Sequence, residues 1–120
     1  MINEVHHVQV TIPRGMEELG RHFYCQVLGL QEIEKPAALG ERGGFWLQVG
    51  NRQVHVGVED GVDHATTKAH IAYQVTDLDA MRARLVGSSV AIQEDVPLPG
   101  LRRFQIHDPF GNKIEFIQPL

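Results

Sequence analysis

The decisive stretch is "GNRQVHVGVE", Gly50–Glu59, because it returns near the other end of the chain as "GNKIEFIQPL", Gly111–Leu120. In both, a Gly-Asn-cation turn opens a strand-like alternation of apolar and polar residues. Gly50 and Gly111 lie 61 positions apart, and His55 and Glu115 lie 60 apart. A third match sits upstream: "VHHVQVTI" (Val5–Ile12) and "AHIAYQV" (Ala69–Val75) place His7 and His70 63 positions apart. Three matches in nearly constant register indicate an internal duplication, and a few deleted loop residues account for the drift.

Working outward from these strands gives the elements. Period-two alternation predicts strands over "VHHVQVTI", "FWLQV", "VHVGVE", "AHIAYQV", "SVAIQE", "RRFQIHD" and "IEFIQ", with "QEIEKP" as a short one. Helical spacing of Met16, Leu19, Phe23 and Val27 predicts a helix over "MEELGRHFYCQVLGL", closed by Gly29. Leu78, Met81 and Leu85 predict a second over "DLDAMRARL", with Asp77 or Thr76 as N-cap. The order β-α-β-β-β occurs twice. Module one covers about residues 1–60 and module two about 68–120, with the polar "DGVDHATTK" as connector over about 60–68; together, residues 1–120 form one domain.

Bulk properties narrow the classes of function. The chain has 120 residues, 42% hydrophobic and 22% charged, as in an ordinary globular protein. A net charge of −4 with mixed signs argues against a general nucleic-acid binder, which needs a basic face. No apolar run approaches a membrane span. The first residues lack the basic-then-apolar pattern of a secretory signal, and a lone Cys25 cannot form an internal disulfide. A cytoplasmic location and no nucleic-acid or membrane partner are the expectations.

Histidine, with seven copies, is the unusual residue. Side chains alternate faces along a strand. If Val8, Val10 and Ile12 pack against a helix, His7 faces away from it. The same parity turns His55 away from Val54, Val56 and Val58, His70 away from Ile71, Tyr73 and Val75, and Glu115 away from Ile114 and Phe116. Three imidazoles and a carboxylate suit a divalent transition metal (zinc, iron, manganese, nickel or cobalt), and no thiolate joins the set. His6, His22, His64 and His107 fall outside it as structural or surface residues. Gln9, Thr11, Ala72 and Gln74 share the His7/His70 face, as do Gly57 and Glu59, and Trp46 and Gln48 join them. Gln9, Trp46 and Gln74 are therefore candidates for substrate binding, and Arg103 for gripping a substrate carboxylate or phosphate.

"HHVQVTIP" with "FYCQVLGL", and "DPFGNKIEF" near the end, resemble the vicinal oxygen chelate superfamily of glyoxalases, bleomycin-resistance proteins, fosfomycin-resistance transferases and extradiol dioxygenases. The resemblance covers essentially the whole chain. It implies an α+β fold of two tandem βαβββ modules curled into an open, U-shaped eight-stranded barrel with its helices outside. It also implies a homodimer, a small-molecule substrate and one divalent metal per site, with His7, His70 and Glu115 on the family's ligand positions. The fourth position, a glutamate in bacterial-type glyoxalase I, is His55 here. That departure leaves His55 as either a fourth ligand or a catalytic base, beside Glu115 as the other catalytic candidate. A metal-dependent lyase or isomerase is the leading expectation, and a drug-binding protein of the bleomycin-resistance kind without catalysis is the alternative. "KPAALGERGG" (35–44) and "DVPLPGLR" (95–102) are the loops expected at the cavity mouth.

Overall fold

The apolar alternation in residues 8–12 continues across three further strands, and this fixes the first sheet. A computed structural model describes all residues 1–120. It contains two compact units, residues 1–62 and 63–120. In the first, β1 (His7–Ile12), β2 (Gln31–Ile33), β3 (Phe45–Val49) and β4 (Arg52–Val58) form a sheet of order β1-β4-β3-β2. β1 runs parallel to β4, and the other pairings are antiparallel. In the second, β5 (His70–Gln74), β6 (Gln93–Glu94), β7 (Leu101–His107) and β8 (Lys113–Pro119) repeat that topology as β5-β8-β7-β6. The α+β class and the twofold βαβββ order are those expected from the sequence. No helix is long and apolar enough to cross a membrane.

Register explains the cores. Val10, Val56 and Phe45 align across the first sheet, as do Tyr73, Phe116 and Phe104 across the second. Apart from half-buried Val10, these rows carry buried side chains, with Ile12, Leu47, Ile106 and Ile114 beside them. Helix α1 (Glu17–Arg21) lies on the first of these faces: a Cβ on Gly20 would stand 3.0 Å from the Phe45 ring and 3.2 Å from Ile12. The duplication extends to side chains the sequence did not single out. Arg21 pairs with Glu32 and covers the Phe45 ring, and Arg82 pairs with Glu94 and covers the Phe104 ring.

Four expectations change. The first helix opens into π-type turns over His22–Val27, and Leu28 N–H donates to the Phe23 carbonyl. Its buried stripe is Gly20, Phe23, Tyr24, Val27 and Leu28, whereas Met16 and Leu19 are exposed, because the wider turn rotates the later residues onto the sheet. Val8 is 37% exposed and Val10 half-buried, so full burial on β1 is reached only at Ile12. "SVAIQE" pairs only at Gln93 and Glu94. Val90 N–H is spent on the Leu85 carbonyl at the end of α2 (Leu78–Gly87), with Ser89 at φ +61° making the turn.

Candidate metal and substrate site

In unit one, register places Gln9, His55 and Trp46 in one row across β1, β4 and β3. His55 is 5% exposed despite being an ionisable residue. Its ring lies parallel to the Trp46 indole, centroids 3.7 Å apart and planes 2° apart. On its other side His7 stacks at 4.1 Å and 16°. Gln53 Oε1 lies 2.9 Å from His55 Nε2 and can only accept, so Nε2 carries the hydrogen. Burial, and then the neighbouring His7 and His6, push the His55 pKa below its ordinary value, which keeps the ring neutral near pH 7. His6 and His7 share a hydrogen between their Nδ1 atoms, 3.0 Å apart. His6 thus touches a candidate ligand, a contact strand parity does not reveal.

Unit two carries the equivalent positions with different chemistry. Ala72, Glu115 and Gln105 form the matching row across β5, β8 and β7. Glu115 is 7% exposed, and both of its oxygens have partners. Arg103 Nη1 donates to Oε1 at 3.1 Å, and His70 Nε2 lies 3.2 Å from Oε2. His70 Nδ1 is 2.9 Å from the Lys68 carbonyl and must donate to it. The proton is therefore fixed on Nδ1, and a neutral ring turns the Nε2 lone pair toward a carboxylate oxygen. Two acceptors facing each other need a cation or a second ring proton between them. With ligand bonds of about 2.0–2.2 Å, adjacent donors on one ion stand about 2.8–3.6 Å apart, from octahedral to tetrahedral angles. The observed spacing fits, and an Nδ1–H held by a backbone carbonyl is the usual support for a ligating histidine.

Within each unit the expected set thus forms a pair: His7 with His55, and His70 with Glu115. Neither unit groups three or more His, Cys, Asp or Glu side chains around a point. The stacked pair in unit one also has a geometric consequence. Two imidazoles on one ion aim their in-plane lone pairs at a common point, whereas stacked planes hold them nearly parallel.

The remaining candidates divide. Gln9 and Trp46 line a cleft of ≈ 290 Å³ with His55 and Gly57, under the β2–β3 loop. Gln74 lies on the Glu115 face but is exposed, at the start of a separate groove beside α2. Arg103 is engaged within the chain: besides Glu115 it meets Asp95 at 3.4 Å, and its Nε and Nη2 donate to the Val96 carbonyl. Its alignment with Glu115 follows from β7 parity, since Gln105 opposes Glu115. His107 shares that face and is exposed. Lys35, Arg42, Gln53 and Asp95 were not singled out from the sequence; the first two line the cleft and the others hold candidate residues in place.

Residues 5–116 match the Glyoxalase/Bleomycin resistance protein/Dioxygenase superfamily. The chain belongs to this superfamily. Among solved structures, a glyoxalase family protein from Bacillus anthracis shares 39% identity over 100% of this chain and 98% of its own, with TM-score 0.94. The Listeria monocytogenes fosfomycin resistance protein FosX, solved with Mn(II) and 1S,2S-dihydroxypropylphosphonic acid, aligns at 16% identity and TM-score 0.83, covering 100% of this chain and 95% of that one. A lactoylglutathione lyase from Agrobacterium tumefaciens aligns at 15% and 0.76, covering 98% and 95%. The last two bear on the fold alone. No curated protein matches the sequence.

Proposed function

We propose that this superfamily member is a metal-dependent enzyme acting on a small oxygen-chelating substrate, by lyase or isomerase chemistry of the glyoxalase kind. The observation that carries this reading is the His70–Glu115 pair, 3.2 Å apart and with the His70 tautomer set by the Lys68 carbonyl. His7, at the position of β1 equivalent to His70 on β5, is a further proposed metal ligand. A bound divalent ion (zinc, iron, manganese, nickel or cobalt) would polarise adjacent substrate oxygens as a Lewis acid. Arg103 fixes the Glu115 carboxylate so that Oε2 is directed at His70. Stacking on His7 favours His55 as a neutral group lining the substrate cleft over a fourth ligand. Gln9 and Trp46 line the same cleft as substrate contacts. A homodimer and a cytoplasmic setting complete the proposal.

The test is metal content of untagged protein after loading with each of the five ions, repeated for His70→Ala and Glu115→Ala. Uptake by the wild type and loss in both variants is the expected result. A wild type that takes up none of them overturns the reading and leaves a binding protein of the bleomycin-resistance kind. Loaded protein is then offered hemithioacetals, epoxides and catechols, and turnover of the hemithioacetals alone is the expected outcome.

A further inference from the structure

The cleft of unit one has a charge pattern that the metal reading does not use. Its only charged lining side chains are Lys35 and Arg42, both cationic, and both come from the segment joining β2 to β3. The chain as a whole has more acids than bases, 15 against 11. Accordingly Arg14, Arg21, Arg52, Arg82, Arg102 and Arg103 each have a carboxylate partner. Arg42, which is exposed, and Lys35 have none, although Glu41 and Glu34 are their immediate neighbours in sequence; Lys68 and Lys113 are likewise without a carboxylate but lie outside the cleft. Lys35 is half-buried and donates one proton to the Gly43 carbonyl, which ties the loop ends together and leaves two donors over. Beneath them Gly57 leaves space for the Gln9 amide: a Cβ there would stand 2.8 Å from Gln9 Nε2.

We propose that this cleft receives the anionic end of the substrate, a carboxylate or phosphate-type oxyanion, with Lys35 and Arg42 as the specificity-determining residues. The inference rests on the enzyme reading above and names its substrate class. A planar guanidinium takes such a group on two parallel donors, and the ammonium adds a point charge. A volume of ≈ 290 Å³ sits at the small end of ligand cavities, about 300–1,000 Å³, so the anionic end it receives is a small group.

Trp46, the only tryptophan in the chain, lines the cleft and supplies the readout. Metal-stripped protein in excess chelator is titrated with benzoate and with phenyl phosphate, and with neutral benzamide, following Trp46 emission. Saturable changes with the two anions and none with benzamide are expected. Lys35→Met and Arg42→Met each weaken anion binding about tenfold, the scale of one charge-assisted hydrogen bond, while Lys35→Arg retains most of it. The proposal is overturned if benzamide binds as well as benzoate, or if the double Met variant binds the anions like the wild type. Because the ion is absent, the two readings fail separately. Anion binding by a protein that takes up no metal sinks the enzyme reading alone, and metal uptake without anion binding sinks this one alone.

Discussion

Arg103 shows how one side chain can carry more than its surroundings announce. Its side chain is 17% exposed and holds two carboxylates, whose own side chains are 9% exposed at Glu115 and 23% at Asp95, while donating to the Val96 carbonyl. Removing one partner of a mostly buried ion pair leaves the other desolvated and uncompensated, at a cost of about 3 kcal/mol. Arg103→Met should therefore lower unfolding free energy by about that much in urea titrations. A loss under about 0.5 kcal/mol, the scale of an ordinary surface substitution, would refute the buried role. Tyr73 gives a pH-dependent case. Burial, then the Asp108 charge, push its pKa from 10.0 up to about 12. The folded value lies above the unfolded one, so this contribution is complete below pH 10 and disappears as pH rises through about 12. It amounts to about 2–3 kcal/mol. Tyr73→Phe should flatten the loss of stability above pH 10; an unchanged alkaline slope would show that the phenol is not the group responsible.

Among the elements, the tightest constraint is where the β2–β3 loop enters β3. Gly44, at φ +81°, passes so close to β4 that a Cβ would lie 2.1 Å from the Val56 carbonyl oxygen. No rotamer relieves a backbone contact, so Gly44→Ala must shift β3 against β4 or deform the loop, costing upwards of about 3 kcal/mol. Gly20→Ala meets only the Phe45 ring and Ile12, which can give a little, and should cost about 1–2 kcal/mol. Thermal unfolding of both variants checks the order, and a milder Gly44→Ala would contradict the close approach. These contacts also mark what periodicity can convey. Strand parity was readable because a pleat has one period and one buried face, so the faces of His55, His70 and Glu115 followed from neighbouring valines and isoleucines. The π-type turns at His22–Val27 were not, since widening a helix leaves its apolar residues in place and changes only which of them point inward. β6 was overextended because the capping of α2 takes Val90 N–H, a tertiary choice invisible in an alternating string. The direction of Lys35 and Arg42 is not legible in the sequence, because a loop has no period from which to read it.

At the scale of the whole chain, duplication preserved the scaffold and let the site positions diverge. Arg21–Glu32 on Phe45 recurs as Arg82–Glu94 on Phe104, whereas the row holding neutral His55 against Trp46 recurs as one holding Glu115 beside Ala72. Conserved packing beside altered donors is what a binding site needs, because ligand atoms can change while the strands that carry them keep their register. If the His70–Glu115 pair is a metal position, occupancy is linked to folding. An ion that binds only the native chain adds about 2.7 kcal/mol at a hundredfold excess over its Kd. Metal titration should raise the unfolding temperature of the wild type and leave His70→Ala unmoved. Asp77→Ala supplies the control: Asp77 accepts from Ala80 N–H at the start of α2, so its loss costs about 1 kcal/mol without touching the pair. That variant should start lower and rise by the same increment as the wild type. If His70→Ala rises equally, the ion is bound elsewhere, and the pair holds a proton shared between imidazole and carboxylate instead.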